Sequence, residues 1–499
     1  MRLCVLIPSE EYRNFAGARI RYGRIVNPLG VQGWSLDLRE IGEFDPRLSD
    51  YDIHVISKCH DARALICAHL LRRSGKIVGV DLFDDYFSQR NDPRLARFRT
   101  WLADLIKEVD FAMCSTPTMA AVARTYRQDV PIHVMNDPAD GPKKPDLRGT
   151  LERKLTQARE SRSFSVAWFG VGDNPNFPVG LSDLTAFGMG LRPLAGSDWH
   201  CRLKVLTNER ALTADNLAGL RSLPLQPEIS IWSEEAERTL LEESLLCFLP
   251  VNAQNFSMAK SLNRAVSALT AGCQVLSNGF PLYDRLEPLI YENVAAFLTD
   301  LKSGALKLGP DTLPVYDRLI EAVASEKGEA SALARFLGSL VKSGRTEPVS
   351  DSSRLIVIHG VSSTPAVHAL AQKMGALSVG SPFCTGRFNF DALFRMQAEG
   401  QLALHVAKNS LDKLHSSVGT SMKPAGKLFG QPYWSANGGS ERVEGGSDLN
   451  NNPAVLISRH KPVLKDMHRA LMEAFGDGAV ILSEMSALPL ETTAASLQD

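Results

Sequence analysis

Residues 245–277 read LLCFLPVNAQNFSMAKSLNRAVSALTAGCQVLS, and this stretch decides the fold class. Two short apolar runs, at 245–250 and 274–277, enclose a helical pattern over 259–271 that ends at Gly272. Short buried strands separated by amphipathic helices are typical of βα units and parallel sheets. We therefore predict an α/β fold built from doubly wound parallel sheets.

The same alternation extends over most of the 499 residues and is interrupted by two polar breaks. Residues 141–163 contain prolines before a charged helical pattern, and residues 342–353 are rich in Ser, Gly and charge. The breaks agree with the roughly three domains that this length suggests. We predict a Rossmann-like domain over 1–140, a linker over 141–163, a second Rossmann-like domain with a helical extension over 164–343, and an accessory α/β module over 350–499.

Composition and charge exclude several classes of protein. The chain is 44% hydrophobic and 22% charged, which is ordinary for a globular protein and excludes wholesale disorder. The formal net charge is −1, so no global field attracts nucleic acid or an anionic membrane. We therefore predict no nucleic-acid partner, and any bound anion must be met by a local site.

The cysteines and the N-terminus predict a cytoplasmic protein. The chain contains 8 cysteines and no CxxC motif, and most of them lie in apolar runs, as expected of buried thiols in a reducing compartment. The first residues, MRLCVLIPSE, lack the features of a signal peptide. Every apolar run is shorter than the roughly 18 residues that a membrane span needs.

The strongest candidate site lies at the start of the predicted helix over 259–271. Lys260, Ser261, Asn263 and Arg264 are expected in its first turn. A helix N-terminus presents unpaired amides and a positive dipole end, and an added Lys or Arg completes a diphosphate site. The helix dipole disfavours basic residues at the N-terminus, so their presence here favours a bound anion. The alternative is that Lys260 and Arg264 are solvated charges one turn apart.

Several segments in order resemble the GT-B glycosyltransferases related to family 4, over about residues 1–300. The KS-x-NR stretch and the following QVLSNGFPLYDRL resemble the donor-binding segment of that family. The other matching segments are GARIRYGRIVNPL, GKIVGVDLFDDYF, DFAMCSTPTMAAVA, VMNDPAD and VAWFGVGDNPN. The resemblance implies two Rossmann-like domains that face a cleft, and a helix N-terminus and lysine that hold the diphosphate of a nucleotide-sugar.

The activity that the resemblance implies is transfer of a sugar to a hydroxyl acceptor, with retention of configuration. The acceptor would be a glycan, a lipid-linked glycan or a protein. The commonest form of the family carries two glutamates, and the matching positions here are Ala259 and Ser267. The chain resembles a subset with a KS-x-N-K/R pattern instead. The missing pair keeps a second hypothesis open, a catalytically degenerate transferase fold that acts as a binding or scaffold protein.

A glycine-containing loop, GVGDNP, follows a predicted strand over 164–169. Gly170 and Gly172 would allow close approach of the backbone to a phosphate or sugar. A dinucleotide site is the alternative, but Pro175 replaces the third glycine of that motif and no acidic residue ends the next strand. We therefore predict no nicotinamide cofactor, and a nucleotide-dependent oxidoreductase is the least favoured hypothesis.

Arginines are concentrated in the first predicted helix of the first domain. Arg19, Arg21 and Arg24 follow a loop that should face the cleft, and guanidinium groups match phosphate geometry bidentately. We place Arg19 and Arg21 on the phosphate or acceptor side of the site. An ordinary charged helix face is the alternative.

Carboxylates and a histidine follow two other predicted strands. Asp81, Asp84 and Asp85 end the strand over 76–82, and His60 follows the strand over 52–57. Asp84, Asp85 and His60 are candidate acid–base groups, and Asp81 is a candidate on the acceptor side. The alternatives are a helix N-cap, a strand-end turn and a metal site. We predict no metal, because amides and basic residues can neutralise a leaving diphosphate.

The last 150 residues match no family that we recognise. IHGVSS at 358–363 places His359 and Ser362 after a strand, faintly like a hydrolase oxyanion turn, but no G-x-S-x-G elbow supports it. A second strand-end loop over 378–391 contains Gly380, Gly386 and Arg387. The default expectation is a module for acceptor recognition or for homo-oligomerisation.

Overall fold

The structure is a computed structural model that describes residues 1–60, 62–139 and 146–342, together with strands at 355–359, 377–380, 422–428, 431–436 and 479–483. The first domain contains a six-stranded sheet. Its elements are β1 (Arg2–Ile7), α1 (Ala16–Arg19), α2 (Val26–Val31), β2 (Ser35–Glu40), β3 (Ile53–Ser57), α3 (Ala62–Arg73), β4 (Ile77–Leu82), α4 (Ala96–Leu105), β5 (Phe111–Cys114), α5 (Pro117–Tyr126) and β6 (Ile132–Val134).

The second domain repeats this plan. Its elements are α6 (Leu147–Ser161), β7 (Ser163–Phe169), α7 (Leu181–Phe187), α8 (Arg192–Ala195), β8 (His200–Thr207), α9 (Ala214–Arg221), β9 (Pro227–Ile231), α10 (Glu234–Glu243), β10 (Leu246–Phe248), α11 (Asn255–Met258), α12 (Asn263–Thr270), β11 (Gln274–Leu276), β12 (Ile290–Tyr291), α13 (Val294–Ser303), α14 (Leu313–Ala324) and α15 (Glu326–Lys342).

Both sheets are parallel and doubly wound, which confirms the predicted fold class. The first sheet has the strand order β2-β1-β3-β4-β5-β6, and the second has the order β12-β11-β10-β7-β8-β9. All neighbouring strands within each sheet pair in parallel. The winding direction reverses between β1 and β3 in the first sheet and between β7 and β10 in the second. Ligands of such sheets bind beyond the carboxyl ends of the strands at these reversal points.

The central strands are buried on both faces, as parallel strands covered by helices must be. Five consecutive residues of β1 are buried, and all five residues of β3 are buried. β2 was not predicted from the sequence; it is an edge strand with a single buried residue, Leu36. Its apolar signal is therefore weaker than that of the central strands.

The first predicted helix of this domain, the arginine-containing stretch expected over 16–29, is divided into α1 and α2. Pro28 explains the division, because proline has no N–H group and its ring clashes with the carbonyl group one turn earlier. Pro28 therefore lies in the first turn of α2, where no intrahelical donor is needed.

The last described helix returns to the first domain. Although the helical extension was assigned to residues 164–343, α15 packs on α2 and buries Ala330, Leu333 and Leu337 in the core beneath the first sheet. Glu329 of the same helix accepts hydrogen bonds from the backbone and side-chain amides of Asn136. The two domains are therefore joined at both the outgoing and the returning segments of the chain.

A buried ion pair holds the end of β4 to the start of the chain. The guanidinium of Arg21 donates to both oxygens of Asp81, at 2.7 and 2.8 Å, and the two side chains are 1% and 0% exposed. Tyr22 donates its hydroxyl to the same carboxylate. Arg21 also donates to the carbonyl oxygen of Met135 at 2.8 Å. This network connects the first helix, the centre of the sheet and the exit from the first domain.

Beyond residue 354 the structure describes five strands: β13 (Leu355–His359), β14 (Leu377–Gly380), β15 (Met422–Leu428), β16 (Gln431–Ala436) and β17 (Ala479–Ser483). β14, β13 and β17 form a parallel sheet in that order, and β15 and β16 pair antiparallel. The predicted turn at Ser362 and the loop with Gly386 and Arg387 lie outside the described residues.

The buried ion pair generates a stability prediction. Asp81→Asn removes the bidentate counterion of the buried Arg21 and leaves it only Asp137, at 3.3 Å. We expect the free energy of unfolding to fall by up to about 3–5 kcal/mol. Urea unfolding followed by tryptophan fluorescence measures this loss. Asp50→Asn is the control, because the Arg2–Asp50 pair is exposed and should contribute nothing measurable. Equal stability of the two variants would contradict a structural role for the buried pair.

Candidate functional site

The two reversal points face each other across the cleft. The loops after β1 and β3 come from the first domain, and the loops after β7 and β10 come from the second. Phe177 and Phe256, from the loops of the second domain, stack at 4.3 Å and lie 5.8 and 5.5 Å from Tyr86 of the first. Both phenylalanines are less than 5% exposed, so the domains touch through an apolar contact.

The helix predicted over 259–271 begins only at Asn263, and this changes the position of two candidate residues. The carbonyl oxygen of Ala259 accepts hydrogen bonds from Thr116 at 3.2 Å and Ser115 at 3.4 Å, both in the first domain. A continuous helix would use that carbonyl for its own next turn. The helix α12 therefore begins at Asn263, and Lys260 and Ser261 lie in the turn before it, not in its first turn.

No side chain of the described residues caps the N-terminus of α12. Its N-cap residue is Leu262, which has no side-chain acceptor for the first amides of the helix. Asn263 and Arg264 occupy the first turn. Unsatisfied amides and the positive end of the dipole make this end of the helix suited to an anion.

Arg264 contributes donors that have no acceptor. Its Nε and Nη2 atoms are buried, and within the described part of the chain neither finds a hydrogen-bond partner. The guanidinium carbon lies 5.2 Å from the ring centroid of Trp168 and 5.5 Å from that of Phe169, so the aromatic residues at the end of β7 hold it in place. Buried donors without acceptors are costly, and an oxyanion would satisfy them.

The glycine loop lies against the same guanidinium. Gly170 has φ +144°, a conformation that favours glycine, and a methyl group there would lie 3.4 Å from the Arg264 guanidinium. The amide of Gly172 donates to the side chain of Asn208 at 2.8 Å, and its carbonyl oxygen accepts from Leu181 at 2.9 Å. The loop is thus held by hydrogen bonds beside Arg264.

A carboxylate at the start of α7 supports this loop. Asp183 accepts hydrogen bonds from the Gly180 amide, at 3.1 Å, and from the side chain of Asn252 in the loop after β10. Burial raises the pKa of Asp183, and the two hydrogen bonds oppose that rise. Asp183 therefore ties together the two loops at the reversal point of the second sheet.

Asp84 lies between two lysines from different domains. One carboxylate oxygen accepts from Lys260, and the other accepts from Lys58. Burial alone would raise the pKa of Asp84, but the ammonium groups of Lys260 and Lys58 hold that pKa well below its usual range. A carboxylate with so low a pKa is a weak base at neutral pH.

Arg19 of the first domain also reaches the second domain. Its guanidinium pairs with Glu234, in the first turn of α10, at 2.9 Å. The sequence placed Arg21 and Asp81 on the acceptor side of the site. In the structure they bind each other in the buried ion pair described above. Their side chains have almost no solvent exposure. We interpret their role as structural.

Asp85 and His60 have contacts of their own within the first domain. The Asp85 carboxylate accepts from the amides of Phe87 and Ser88 at 3.0 and 2.9 Å and so shapes the loop after β4. His60 packs edge-on against aromatic rings, with ring centroids 4.7 Å from Trp101 and 5.2 Å from Phe98. We assign neither residue a proton-transfer role.

Lys58 is the residue that the sequence analysis missed. It follows β3 at the reversal point of the first sheet, and its φ of 59° is in the left-handed region, which non-glycine residues rarely adopt. The available signal was its position directly after an apolar strand in the stretch SKCHD. Nothing in that stretch indicates that Lys58 shares a carboxylate with Lys260.

Neither a metal cluster nor a membrane span is found in the part of the chain that the structure describes. Those residues contain no group of three or more His, Cys, Asp or Glu side chains arranged to hold a metal ion. None of the described helices is long and apolar enough to cross a bilayer.

Comparison with known proteins finds structural similarity only. No protein-family model matches the chain, and no curated protein matches it. The Anabaena protein HepE, solved in complex with UDP and glucose, has a TM-score of 0.47 and 11% identity, and the match covers 68% of this chain and 100% of HepE. Sucrose-phosphate synthase from Thermosynechococcus elongatus has a TM-score of 0.47 and 11% identity, with 69% and 100% covered.

A third similar structure is trehalose 6-phosphate synthase from Burkholderia multivorans. Its TM-score is 0.42 at 12% identity, and the match covers 61% of this chain and 73% of the synthase. These similarities are weak, and neither the fold nor the chemistry of this chain is inferred from them.

The packing of the glycine loop generates a prediction. In Gly172→Ala the new methyl group would lie 2.3 Å from the Thr207 hydroxyl and 2.7 Å from Ala211, so the loop must move. We expect a destabilisation of about 1–3 kcal/mol, as for overpacked sites. Thermal unfolding and hydrogen exchange over residues 170–180 measure it. Gly30→Ala is the control, because no atom lies within 4 Å of the new methyl group. Unchanged exchange in Gly172→Ala would contradict the tight packing.

Proposed function

We propose that this protein transfers a sugar from a nucleotide-diphosphate-sugar to a hydroxyl acceptor. The observation that carries the proposal is the uncapped start of α12 beside the two unpartnered donors of Arg264. Helix amides, a dipole end and a guanidinium at one reversal point are suited to a diphosphate. The resemblance to GT-B glycosyltransferases of the KS-x-N-K/R type implies the same ligand for this segment.

The residues present can supply the electrostatic part of the reaction. As the bond between the sugar and the diphosphate breaks, negative charge develops on the leaving phosphate oxygens. The α12 amides and Arg264 would stabilise that charge, and Lys260 would join them once it is released from Asp84. Ser261 and Asn263 lie beside these groups and could donate further hydrogen bonds. We propose that no metal or other cofactor is needed, because these cationic and amide groups neutralise the diphosphate.

The first domain would face the acceptor. The loops after β1, β3 and β4 form its side of the cleft, and the acceptor hydroxyl must enter there to reach the donor sugar. A glycan, a lipid-linked glycan and a protein all present such a hydroxyl. Retention of configuration is the expectation that the family resemblance supports.

A second function is favoured by one observation. The position of the first family glutamate is occupied by Ala259, which is 0% exposed and lies against Ser115 and Thr116 at the contact between the domains. A glutamate side chain would not fit there without separating the domains. The chain could therefore bind a nucleotide-sugar, or a partner through residues 350–499, without turnover.

The donor site is tested by removing the unpartnered guanidinium. Arg264→Met should weaken binding of nucleoside diphosphates by about 10- to 100-fold, the amount expected for charge-assisted hydrogen bonds. Isothermal titration with UDP, GDP, ADP and dTDP measures the change for whichever of them binds the wild type. Arg221→Met is the control, because Arg221 is an exposed arginine on α9 of the same domain. Unchanged affinity in Arg264→Met would overturn the site.

Turnover separates the two functions. Release of nucleoside diphosphate is assayed with UDP-, GDP-, ADP- and dTDP-sugars, with and without hydroxyl acceptors. Release that falls in Arg264→Met supports a transferase. Binding of a nucleotide-sugar without release or transfer from any donor favours the binding protein.

A further inference from the structure

Two lysines from opposite domains converge on one carboxylate in the cleft. Lys58 follows β3 at the reversal point of the first sheet, and Lys260 lies before α12 at the reversal point of the second. Each donates to a different oxygen of Asp84. The Asp84 side chain is 14% exposed, whereas those of Lys58 and Lys260 are 17% and 42% exposed.

Both ammonium groups are held in position by aromatic rings. The Lys58 ammonium lies 4.5 Å from the ring centroid of Phe83 and 5.3 Å from that of Tyr86, and the Lys260 ammonium lies 4.1 Å from that of Phe256. These rings flank the apolar contact between the domains, where cation–π attraction and ion pairing are less screened than in water. The carboxylate thus connects two positioned cations across the cleft.

The backbone of Lys58 is in the left-handed region. A lysine with φ 59° costs about 1–2 kcal/mol relative to an ordinary conformation. Such strain persists where the surrounding contacts maintain it, and it is concentrated at functional sites. This backbone conformation directs the Lys58 ammonium to Asp84. The Lys58–Asp84 contact therefore helps to fix the side of the cleft that the first domain forms.

Asp84 therefore forms an ion pair with Lys260, the cation that the diphosphate of the proposed donor would use. Among the described residues, the buried Nε and Nη2 donors of Arg264 find no acceptor, but the Lys260 ammonium, three residues before α12, already has one. A diphosphate that reaches the site meets Arg264 directly and must compete with a carboxylate for Lys260. When the diphosphate takes the place of the carboxylate, the Asp84–Lys260 ion pair between the domains is broken, while the Arg19–Glu234 pair is not affected directly.

We propose that Asp84 is an internal competitor for the donor diphosphate: it keeps Lys260 in an ion pair across the domain contact until the donor displaces it. Lys58 sets the strength of this competition, because it holds the displaced carboxylate in the first domain. The inference rests on the proposed function and adds a regulatory contact to the same site. Binding of the diphosphate and separation of the Asp84–Lys260 contact are then one coupled event.

The first test removes the charge of the competitor and keeps its shape. In Asp84→Asn, we expect inorganic pyrophosphate and the best-bound nucleoside diphosphate to bind about tenfold tighter or more, because Lys260 is no longer neutralised. Isothermal titration measures both ligands. Asp92→Asn is the matched control, since Asp92 lies in the same loop but pairs with Arg94. Equal or weaker binding in Asp84→Asn overturns the proposal.

A second variant tests the part played by Lys58. Lys58→Met leaves Asp84 entirely to Lys260, so pyrophosphate should bind more weakly than to the wild type. The same substitution in the Asp84→Asn background should have little effect, because the competitor is already neutral. Because residues in contact are often non-additive in folding stability whatever their role, the non-additivity is measured in the affinity for pyrophosphate. Additive effects overturn the role of Lys58.

The outcomes also distinguish this inference from the proposed function. If pyrophosphate binds tighter to Asp84→Asn but no nucleoside diphosphate binds any variant, Asp84 is confirmed as a competitor and the nucleotide-sugar proposal fails. If nucleoside diphosphates bind wild type and Asp84→Asn equally, and Arg264→Met binds them more weakly, the donor site stands and the competitor fails. If neither ligand binds any variant, both fail.

Discussion

The parallel direction of every strand in the two sheets is the constraint on which the rest of this structure depends. Because the strands of a sheet all run the same way, their carboxyl ends share one edge, and the loops that follow them are brought together there. The loops after β3, β4, β7 and β10 all contribute to the candidate site. Residues far apart in the chain therefore meet in the cleft without any local signal that they should.

The cleft combines an apolar contact with a small number of placed charges. Phe177 and Phe256 pack against Tyr86, and the Asp84 carboxylate lies between two cations beside these rings. Ion pairs are stronger where water is excluded, so a few contacts there matter more than many on the surface. This agrees with a net charge of −1, since the chain has no general field with which to attract an anion.

A second set of hydrogen bonds joins the domains at Asn136, before the linker. The amides of Asn136, where the first domain ends, donate to Glu329 on the returning helix, and Arg285 of the second domain donates to the Asn136 side chain at 2.8 Å. Burial raises the pKa of Glu329, and the Asn136 hydrogen bonds oppose that rise. Any opening of the cleft must pivot about this point or break it.

Periodicity was enough to predict the two parallel α/β sheets. Residue type singled out the Gly170 loop and the segment around Lys260, whose role as a site stays a prediction. Both signals failed where tertiary contacts override local preference. The helix predicted over 259–271 begins only at Asn263, because the Ala259 carbonyl accepts hydrogen bonds from the first domain. The edge strand β2 was missed because its burial is incomplete, and α15 returns to the first domain although it follows the second in the chain.

What the sequence determined by itself was the kind of element at each position and the kind of chemistry available, because strand, helix and charge are encoded within a few neighbouring residues. Only the tertiary structure decided the partners. Lys260 and Asp84 are 176 residues apart, and Arg21 and Asp81 are 60 apart. Whether a basic residue is buried in an ion pair or left beside an uncapped helix depends on strand order and domain contact, which are set by the free energy of packing the whole chain and not by any local stretch of it.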